Sequence, residues 1–262
     1  MGWRETWQQV KSAAGNKGFL EEPEQATGLP LGARIGGLVR LPKAPFIQAI
    51  SRGSFIEMPV DSQNIIKAIS RVDLDISGSI YRYYLAVGHA DKKTVFLQVY
   101  VDAQGEVGDI IYCSQLTRMI PETERDQELF MGLLGYGLGD KSYCLWRDQL
   151  EELGYGEADL HAAFGGAEAI EYWRDAGDPE AEFTPPFIGC ETRLEDTQGI
   201  LSLKQQIYYM PYRREIPGDN GKLEYLFIAT EVDSSQGGGG KRDMQVDFMV
   251  GIAVELEQIA IQ

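Results

Sequence analysis

The chain has 262 residues and a formal net charge of −16, a length that suits one large domain or two small ones. Its three cysteines are an odd number with no close pair, which favours buried thiols in a reducing compartment over a disulfide framework. The negative charge argues against binding to nucleic acid, and no apolar run is long enough for a signal peptide or a transmembrane helix. We therefore predict a soluble, cytoplasmic protein.

The first element in chain order is a short amphipathic helix. Trp3, Trp7, Val10 and Ala14 recur at helical spacing, while basic residues lie elsewhere on the helix. Residues 1–26 are predicted to form this helix and a linker. The two tryptophans could dock on the chain's own domain, on a partner or, weakly, on a membrane surface, and the sequence leaves these alternatives open.

Residues 27–120 are predicted to form a first β-rich section. Residues 64–70 are compatible with a helical turn. Three later runs are rich in β-branched and aromatic residues and are separated by short turn-forming stretches: residues 80–87, 94–101 and 107–113. This pattern predicts an antiparallel meander.

Residues 121–196 are acidic and have a helical pattern. They contain 19 Asp or Glu against 5 Lys or Arg, a net charge of −14, while the sections on either side are almost neutral. Ala, Leu and Glu at helical spacing predict short helices at residues 122–134, 146–153, 157–164 and 168–175.

Residues 197–262 repeat the meander pattern with longer strands. The predicted strands are residues 200–210, 223–232 and 244–256. In the last strand, apolar residues alternate with polar ones such as Gln245 and Asp247, which predicts one buried face and one largely wet face. The fold expected from the sequence is α+β, with two antiparallel β meanders flanking an acidic helical segment. The second meander is expected to share one compact fold with residues 27–120.

The motifs that identify common enzymes and metal sites are incomplete in this sequence. The two histidines lack metal-ligand spacing, and no serine or cysteine lies in a nucleophile signature. The glycine run 237–240 lacks the residues of a phosphate loop, and residues 73–84 lack the final glutamate of a calcium loop. We therefore expect no cofactor, no metal and no catalytic residue.

Five segments carry a resemblance to a known family. They are LPLGARIGGLVRL (29–41), IIKAISRVDL (65–74), IYRYYL (80–85), FLQVYVD (96–102) and QIYYMPYRRE (206–215). In these segments the chain resembles the bacterial YjfK-like family of uncharacterised proteins. The resemblance implies no activity and no catalytic residue. It does imply a link to envelope or membrane stress, because such proteins are commonly encoded beside a phage-shock-protein-A-like coiled-coil protein and small membrane proteins.

The charge segregation suggests a non-catalytic interaction module. An acidic face between Glu122 and Glu182 would contact a basic partner, such as a basic amphipathic or coiled-coil helix. Acidic residues at helix N-termini also stabilise helices and keep a protein soluble, which explains the same charges without a partner. The residues predicted to bind the partner are Glu122, Glu124, Glu151, Glu152, Trp3 and Trp7.

The alternative hypothesis is an enzyme or a small-ligand-binding protein. Its pocket would lie between the two sheets, near Arg71, Tyr83 and Arg213. Arginines beside aromatic residues could hold an anionic ligand. Cross-strand aromatic packing with solvated arginines at a strand end would explain the same residues.

Overall fold

The computed structural model of the protein describes residues 28–59, 63–86, 94–197, 204–218, 221–233 and 244–262. The predicted N-terminal helix and linker lie outside the described residues, and so does the glycine run 237–240. The binding roles of Trp3 and Trp7 therefore stay predictions.

Strands dominate the described part of the chain. The strands are β1 (Leu38–Arg40), β2 (Gln63–Leu74), β3 (Ser79–Leu85), β4 (Val95–Val101), β5 (Val107–Met119), β6 (Ser142–Trp146), β7 (Ala169–Arg174), β8 (Phe187–Asp196), β9 (Lys204–Glu215), β10 (Leu223–Asp233), β11 (Met244–Ala253) and β12 (Ala260–Ile261). The α-helices are α1 (Ala44–Ile50), α2 (Glu124–Phe130), α3 (Arg147–Glu152) and α4 (Glu157–Phe164), and short 3₁₀ turns lie at Pro30–Gly32 and Leu256–Gln258.

Eight strands close into an antiparallel β-barrel in the order β2-β3-β4-β5-β11-β10-β9-β8. Pairing of β5 with β11 joins the two predicted meanders, and β8 closes the ring by pairing with both β2 and β9. Closure is favourable because it pairs the backbone groups that an open sheet edge would leave exposed. The ends of β2 and β9 that extend past β8 pair instead with β1 and β7.

Close backbone contact at the seam between β2 and β8 depends on Gly189. It lies opposite Leu74, and a Cβ atom at this position would lie 2.0 Å from the carbonyl oxygen of Asp73. A side chain larger than hydrogen therefore cannot fit unless the two strands separate.

The predicted α+β fold, with two meanders flanking an acidic helical segment, is wrong. The structure is 48% strand and 17% helix, and both meanders belong to one closed barrel. Residues 168–175, predicted as a helix, contain β7, in which buried and exposed residues alternate. Residues 64–70, compatible with a helical turn, belong to β2. Strand pairing overrode the weak local preference in both places.

Most of the individual elements outside these two stretches are confirmed. The predicted strands at residues 80–87, 94–101 and 223–232 coincide with β3, β4 and β10 within two residues at each end, and the helix at 157–164 is α4. The helix predicted at 122–134 is shorter: it begins after Thr123, whose Oγ1 accepts a hydrogen bond from the backbone N–H of Asp126 at 3.1 Å.

The closed barrel gives strand β11 two buried faces. On its outer face, Phe248 packs edge-to-face on Phe130 of α2. On its inner face, Asp247 is only 5% exposed and pairs with Arg118 of β5. The prediction that the polar face of this strand is largely wet is therefore wrong. Those polar side chains point into the barrel interior. The alternation of residues along a strand cannot show whether its polar side faces a barrel interior or solvent.

A covering layer packs on the outside of the barrel. Phe46 of α1 packs edge-to-face on Tyr112 of β5, with ring centroids 4.8 Å apart. The carboxylate of Glu224 on β10 is fully buried and accepts hydrogen bonds from Ser54, Phe55, Tyr172 and Arg214. These bonds tie the covering layer to the barrel, and they satisfy a carboxylate that would otherwise be costly to bury.

Candidate functional site

One end of the barrel interior opens into a polar cavity of about 370 Å³. We call it the barrel mouth. Neighbouring strands run in opposite directions, so the first residues of β2, β9 and β11 meet the last residues of β5, β8 and β10 at this end. The lining residues are Lys67, Ala68, Arg82, Tyr84, Thr94, Phe96, Gln115, Arg118, Arg193, Asp196, Thr197, Gln205, Glu231, Gln245, Asp247 and Met249.

Among the described residues, Arg118 and Arg193 each form an ion pair at the wall of the barrel mouth. Arg118 donates from Nε and Nη2 to the two carboxylate oxygens of Asp247, each at 2.6 Å. Arg193 donates from Nη1 to Asp196 at 3.4 Å, and its guanidinium lies 4.7 Å from the centre of the Tyr84 ring. These pairs satisfy much of the charge that the inward-facing strands bring into the barrel.

Arg82 lies at the inner end of the cavity and is 1% exposed. Its Nη1 donates a hydrogen bond to Glu191 at 2.6 Å and lies 3.9 Å from a carboxylate oxygen of Glu231. The guanidinium also lies 5.3 Å from the centre of the Phe96 ring. Burial lowers the pKa of Arg82, but the negative charge of Glu191 and its neighbours raises it by more, so the pKa lies above its ordinary value and Arg82 stays charged.

Several buried polar atoms around Arg82 have no hydrogen-bond partner among the described residues. They are Nε and Nη2 of Arg82, Nε of Arg193 and Oγ of Ser70. Ser70 on β2 lies directly opposite Arg82 on one side and Arg193 on the other. The three side chains therefore form one cluster. Each unsatisfied buried group costs about 1–3 kcal/mol, so such a cluster is a candidate for contact with a group that the described residues do not supply.

Glu231 gives the barrel mouth a charge that changes near neutral pH. Burial, together with the negative charges of Glu191 and Asp247, raises the pKa of Glu231 to about 7. Arg82 and a hydrogen bond from Gln245 at 2.7 Å act in the opposite direction. The site therefore gains one positive charge as the pH falls through 7.

Cys113 lies on the inner face of β5, opposite Phe96 of β4 and Gly251 of β11. Burial raises the pKa of its thiol, which keeps it protonated and unreactive. Within the described residues, no group of three or more His, Cys, Asp or Glu is arranged to hold a metal ion.

The residues predicted for a ligand pocket lie elsewhere in the structure. Arg71 and Tyr83 lie on the outer face of the barrel, where Arg71 pairs with Asp73 and the Tyr83 hydroxyl donates to the carbonyl of Pro30. Arg213 pairs with Asp175 and lies near the end of β9 that is remote from the barrel mouth. None of the three is among the described residues that line the cavity. Their role in binding a ligand stays a prediction.

The predicted partner-binding glutamates lie in the outer layer. Glu122 and Glu124 are exposed at the start of α2, and Glu151 and Glu152 are exposed on α3. Glu151 also pairs with Arg147 at 3.6 Å. Their exposure leaves them accessible to a partner.

The sequence contains one signal for a cavity residue that the predicted ligand pocket did not include. Arg82 interrupts a run of apolar and aromatic residues, Ile80 to Leu85, within a predicted strand. A charged residue in such a run must find a buried partner, because an unpaired charge in the interior is too costly.

The fold and the site together define a closed eight-stranded antiparallel barrel with a polar cavity at one end. Over residues 9–260 the chain matches the family described as "Protein of unknown function (DUF2491)", and it belongs to that family. Comparisons with curated proteins and with solved structures found no match. Among the described helices, none has the length and hydropathy needed to cross a bilayer.

Proposed function

We propose that this protein binds a small polar molecule in the barrel mouth. The observation that carries the proposal is the buried cluster of Arg82, Ser70 and Arg193, whose polar atoms lack partners among the described residues. Native proteins satisfy most buried polar groups, so unsatisfied groups beside a cavity are good candidates for contacts with a ligand.

The size of the cavity supports the same proposal. An eight-stranded barrel has an interior that is either filled by side chains or wide enough for one small ligand. Its volume of about 370 Å³ lies at the lower end of the range for ligand pockets. Phe96 and Met249 contribute apolar surface beside the polar groups, as is typical of sites that orient a ligand by a few polar contacts.

The test is to identify what the purified protein retains. The protein is incubated with a small-molecule extract of the cells that produce it, separated from unbound material, and analysed by mass spectrometry. Ala68→Phe fills the barrel mouth and should abolish retention, because Ala68 is a lining residue. Ala158→Phe, at an exposed position on α4, is the matched control and should retain the ligand.

Circular dichroism is used to check that each variant is folded. If Ala68→Phe does not fold, Met249→Phe serves as the second filling variant. A compound retained by the wild type and by Ala158→Phe, but lost from a folded filling variant, would support the proposal. Equal retention by all folded proteins, or retention of no compound, would refute it.

A second candidate function is contact with a basic partner through the acidic outer layer. The observation that favours it is a pair of half-exposed tryptophans on the paired strands β6 and β7, Trp146 (47%) and Trp173 (49%). By strand register, they flank Glu171 on the outer face. Exposed aromatic residues beside carboxylates suit basic side chains through cation–π contacts and ion pairs. The link to envelope or membrane stress rests on the family resemblance.

This second candidate is tested by titrating a synthetic basic amphipathic helix and following tryptophan fluorescence. Simultaneous change of Glu122, Glu124, Glu151 and Glu152 to Gln should weaken binding, and moderate salt should do the same. Binding that is unchanged by both the substitutions and salt would contradict the electrostatic proposal.

A further inference from the structure

We infer that the ligand of the barrel mouth is a small monocarboxylate, held on the Nε–Nη2 edge of Arg82, and that it binds together with one proton taken up by Glu231. This inference rests on the proposed function and adds to it the chemical class of the ligand.

The unused edge of Arg82 determines the kind of group that binds. Nε–H and one N–H of Nη2 point in the same direction and match the two oxygens of a carboxylate. Arg118 uses the same two nitrogens to bind the Asp247 carboxylate at the rim of this cavity. In Arg82, however, Nη1 is engaged with Glu191, while Nε and Nη2 have no partner among the described residues. A ligand that presents two acceptor oxygens satisfies both.

The neighbouring groups strengthen the preference for an acceptor. Ser70 Oγ can donate its proton, and Nε of Arg193 is a further donor without a partner in the described part of the chain. Both residues lie next to Arg82 through the register of β2 with β3 and β8. Donors exceed acceptors in the cluster, which favours an oxyanion over a cation or a neutral donor.

The charge balance favours a single negative charge on the ligand. Among the described residues, the cavity and its inner end combine the basic side chains of Lys67, Arg82, Arg118 and Arg193 with the acidic side chains of Asp196, Glu231, Asp247 and Glu191. These charges cancel when Glu231 is ionised. Protonation of Glu231 leaves one positive charge without a counterion, which a monoanion neutralises and a dianion exceeds.

Among the described residues of the cavity, Glu231 is placed to take up the proton. Within the described ranges, the groups that face it are Arg82 and Tyr84 from β3, Glu191 from β8, Arg118 from β5, and Gln245 and Asp247 from β11. Two of them, Glu191 and Asp247, already disfavour its ionised form. A carboxylate on Arg82 adds a third negative charge nearby, so the ligand and the proton each favour the binding of the other.

The inference is tested by isothermal titration calorimetry with acetate, butyrate and benzoate, each compared with its neutral amide, and with inorganic phosphate as a further arm. Titrations at pH 6 and pH 8, each in two buffers of different ionisation enthalpy, measure affinity and proton uptake. We expect a carboxylate to bind at least tenfold more tightly than its amide. Its binding should be about tenfold weaker at pH 8 than at pH 6, with uptake of close to one proton at pH 8.

Three variants separate the roles of the residues. Arg82→Lys keeps the charge but removes the two-nitrogen edge, and should weaken carboxylate binding at least tenfold. The Glu231→Gln variant should bind the carboxylate with an affinity that no longer changes between pH 6 and pH 8. A merely structural role of Glu231 would not remove this pH dependence. Arg71→Lys, on the outer face of the barrel, is the matched control and should bind like the wild type.

The outcomes distinguish this inference from the proposed function. If no carboxylate binds more tightly than its amide while the retained compound is neutral or cationic, the inference is overturned and the proposed function stands. Tighter binding of phosphate than of every carboxylate would overturn the choice of a monocarboxylate. If the filling variants retain every compound that the wild type retains, the proposed function itself fails.

Discussion

Replacing Glu231 by Gln should stabilise the protein by an amount that depends on pH. Glutamine keeps the acceptor oxygen for the hydrogen bond from Gln245 but cannot ionise beside Glu191 and Asp247. The pKa of Glu231 is raised from its ordinary value of 4.5 to about 7. Because each unit corresponds to about 1.4 kcal/mol, the ionised carboxylate costs the folded state about 3 kcal/mol.

The direction of this pH dependence follows from the number of protons that the folded and unfolded states bind. Between pH 4.5 and 7 the folded state holds a proton that the unfolded state has released, so the contribution of Glu231 to the free energy of unfolding falls as the pH rises through this window. The difference between Glu231→Gln and the wild type should be near zero below about pH 4.5 and should level off at about 3 kcal/mol above pH 7.

Urea denaturation followed by circular dichroism between pH 5 and pH 9 measures this difference directly. Glu152→Gln, at an exposed position on α3, is the control and should change the free energy of unfolding by less than about 0.5 kcal/mol at every pH. A difference for Glu231→Gln that stays constant across the range, or that shrinks as the pH rises, would refute the argument.

Two further substitutions test the seam between β2 and β8 and the buried ion pair between Glu224 and Arg214. Gly189→Ala places a Cβ about 2.0 Å from the backbone oxygen of Asp73, and should lower the free energy of unfolding by more than about 2 kcal/mol in urea denaturation. Gly156→Ala, where the added Cβ meets no atom closer than 3.5 Å, should cost less than about 1 kcal/mol, and equal effects would contradict the seam argument. Glu224→Ala leaves Arg214 as a buried charge without its carboxylate and should cost about 3–5 kcal/mol, measured as a lower midpoint of thermal or urea unfolding. A midpoint within error of the wild type would show that the buried pair is unimportant.

Much of the secondary structure was predictable because it depends on local pattern. In β4, aliphatic residues at 95, 97, 99 and 101 alternate with Phe96, Gln98 and Tyr100, and the adjacent predicted strands are also rich in β-branched and aromatic residues. Helix α4 was predicted at its observed bounds because its residues favour helix and glycines bracket them. The wrong prediction of a helix at β7 also reflects reliance on local pattern. The local preference of these residues is weak, and pairing with β6 and β9 made them a strand.

The candidate site was less predictable than the strands that form it. Arg82 could have been marked as unusual from its position inside an apolar run. Its partner Glu191, however, is 109 residues away along the chain, and no spacing rule connects them. The raised pKa of Glu231 likewise depends on burial and on two carboxylates from other strands.

By itself, the sequence determined most of the strands and helices and, in β11, which side of the strand is polar, because these features depend on neighbours a few positions away. The tertiary structure alone decided that the polar side of β11 faces inward, because that direction depends on whether the sheet closes. Closure depends on the pairing of β8 with β2 and β9. Those contacts join residues far apart in the chain, so they form only when the whole barrel folds.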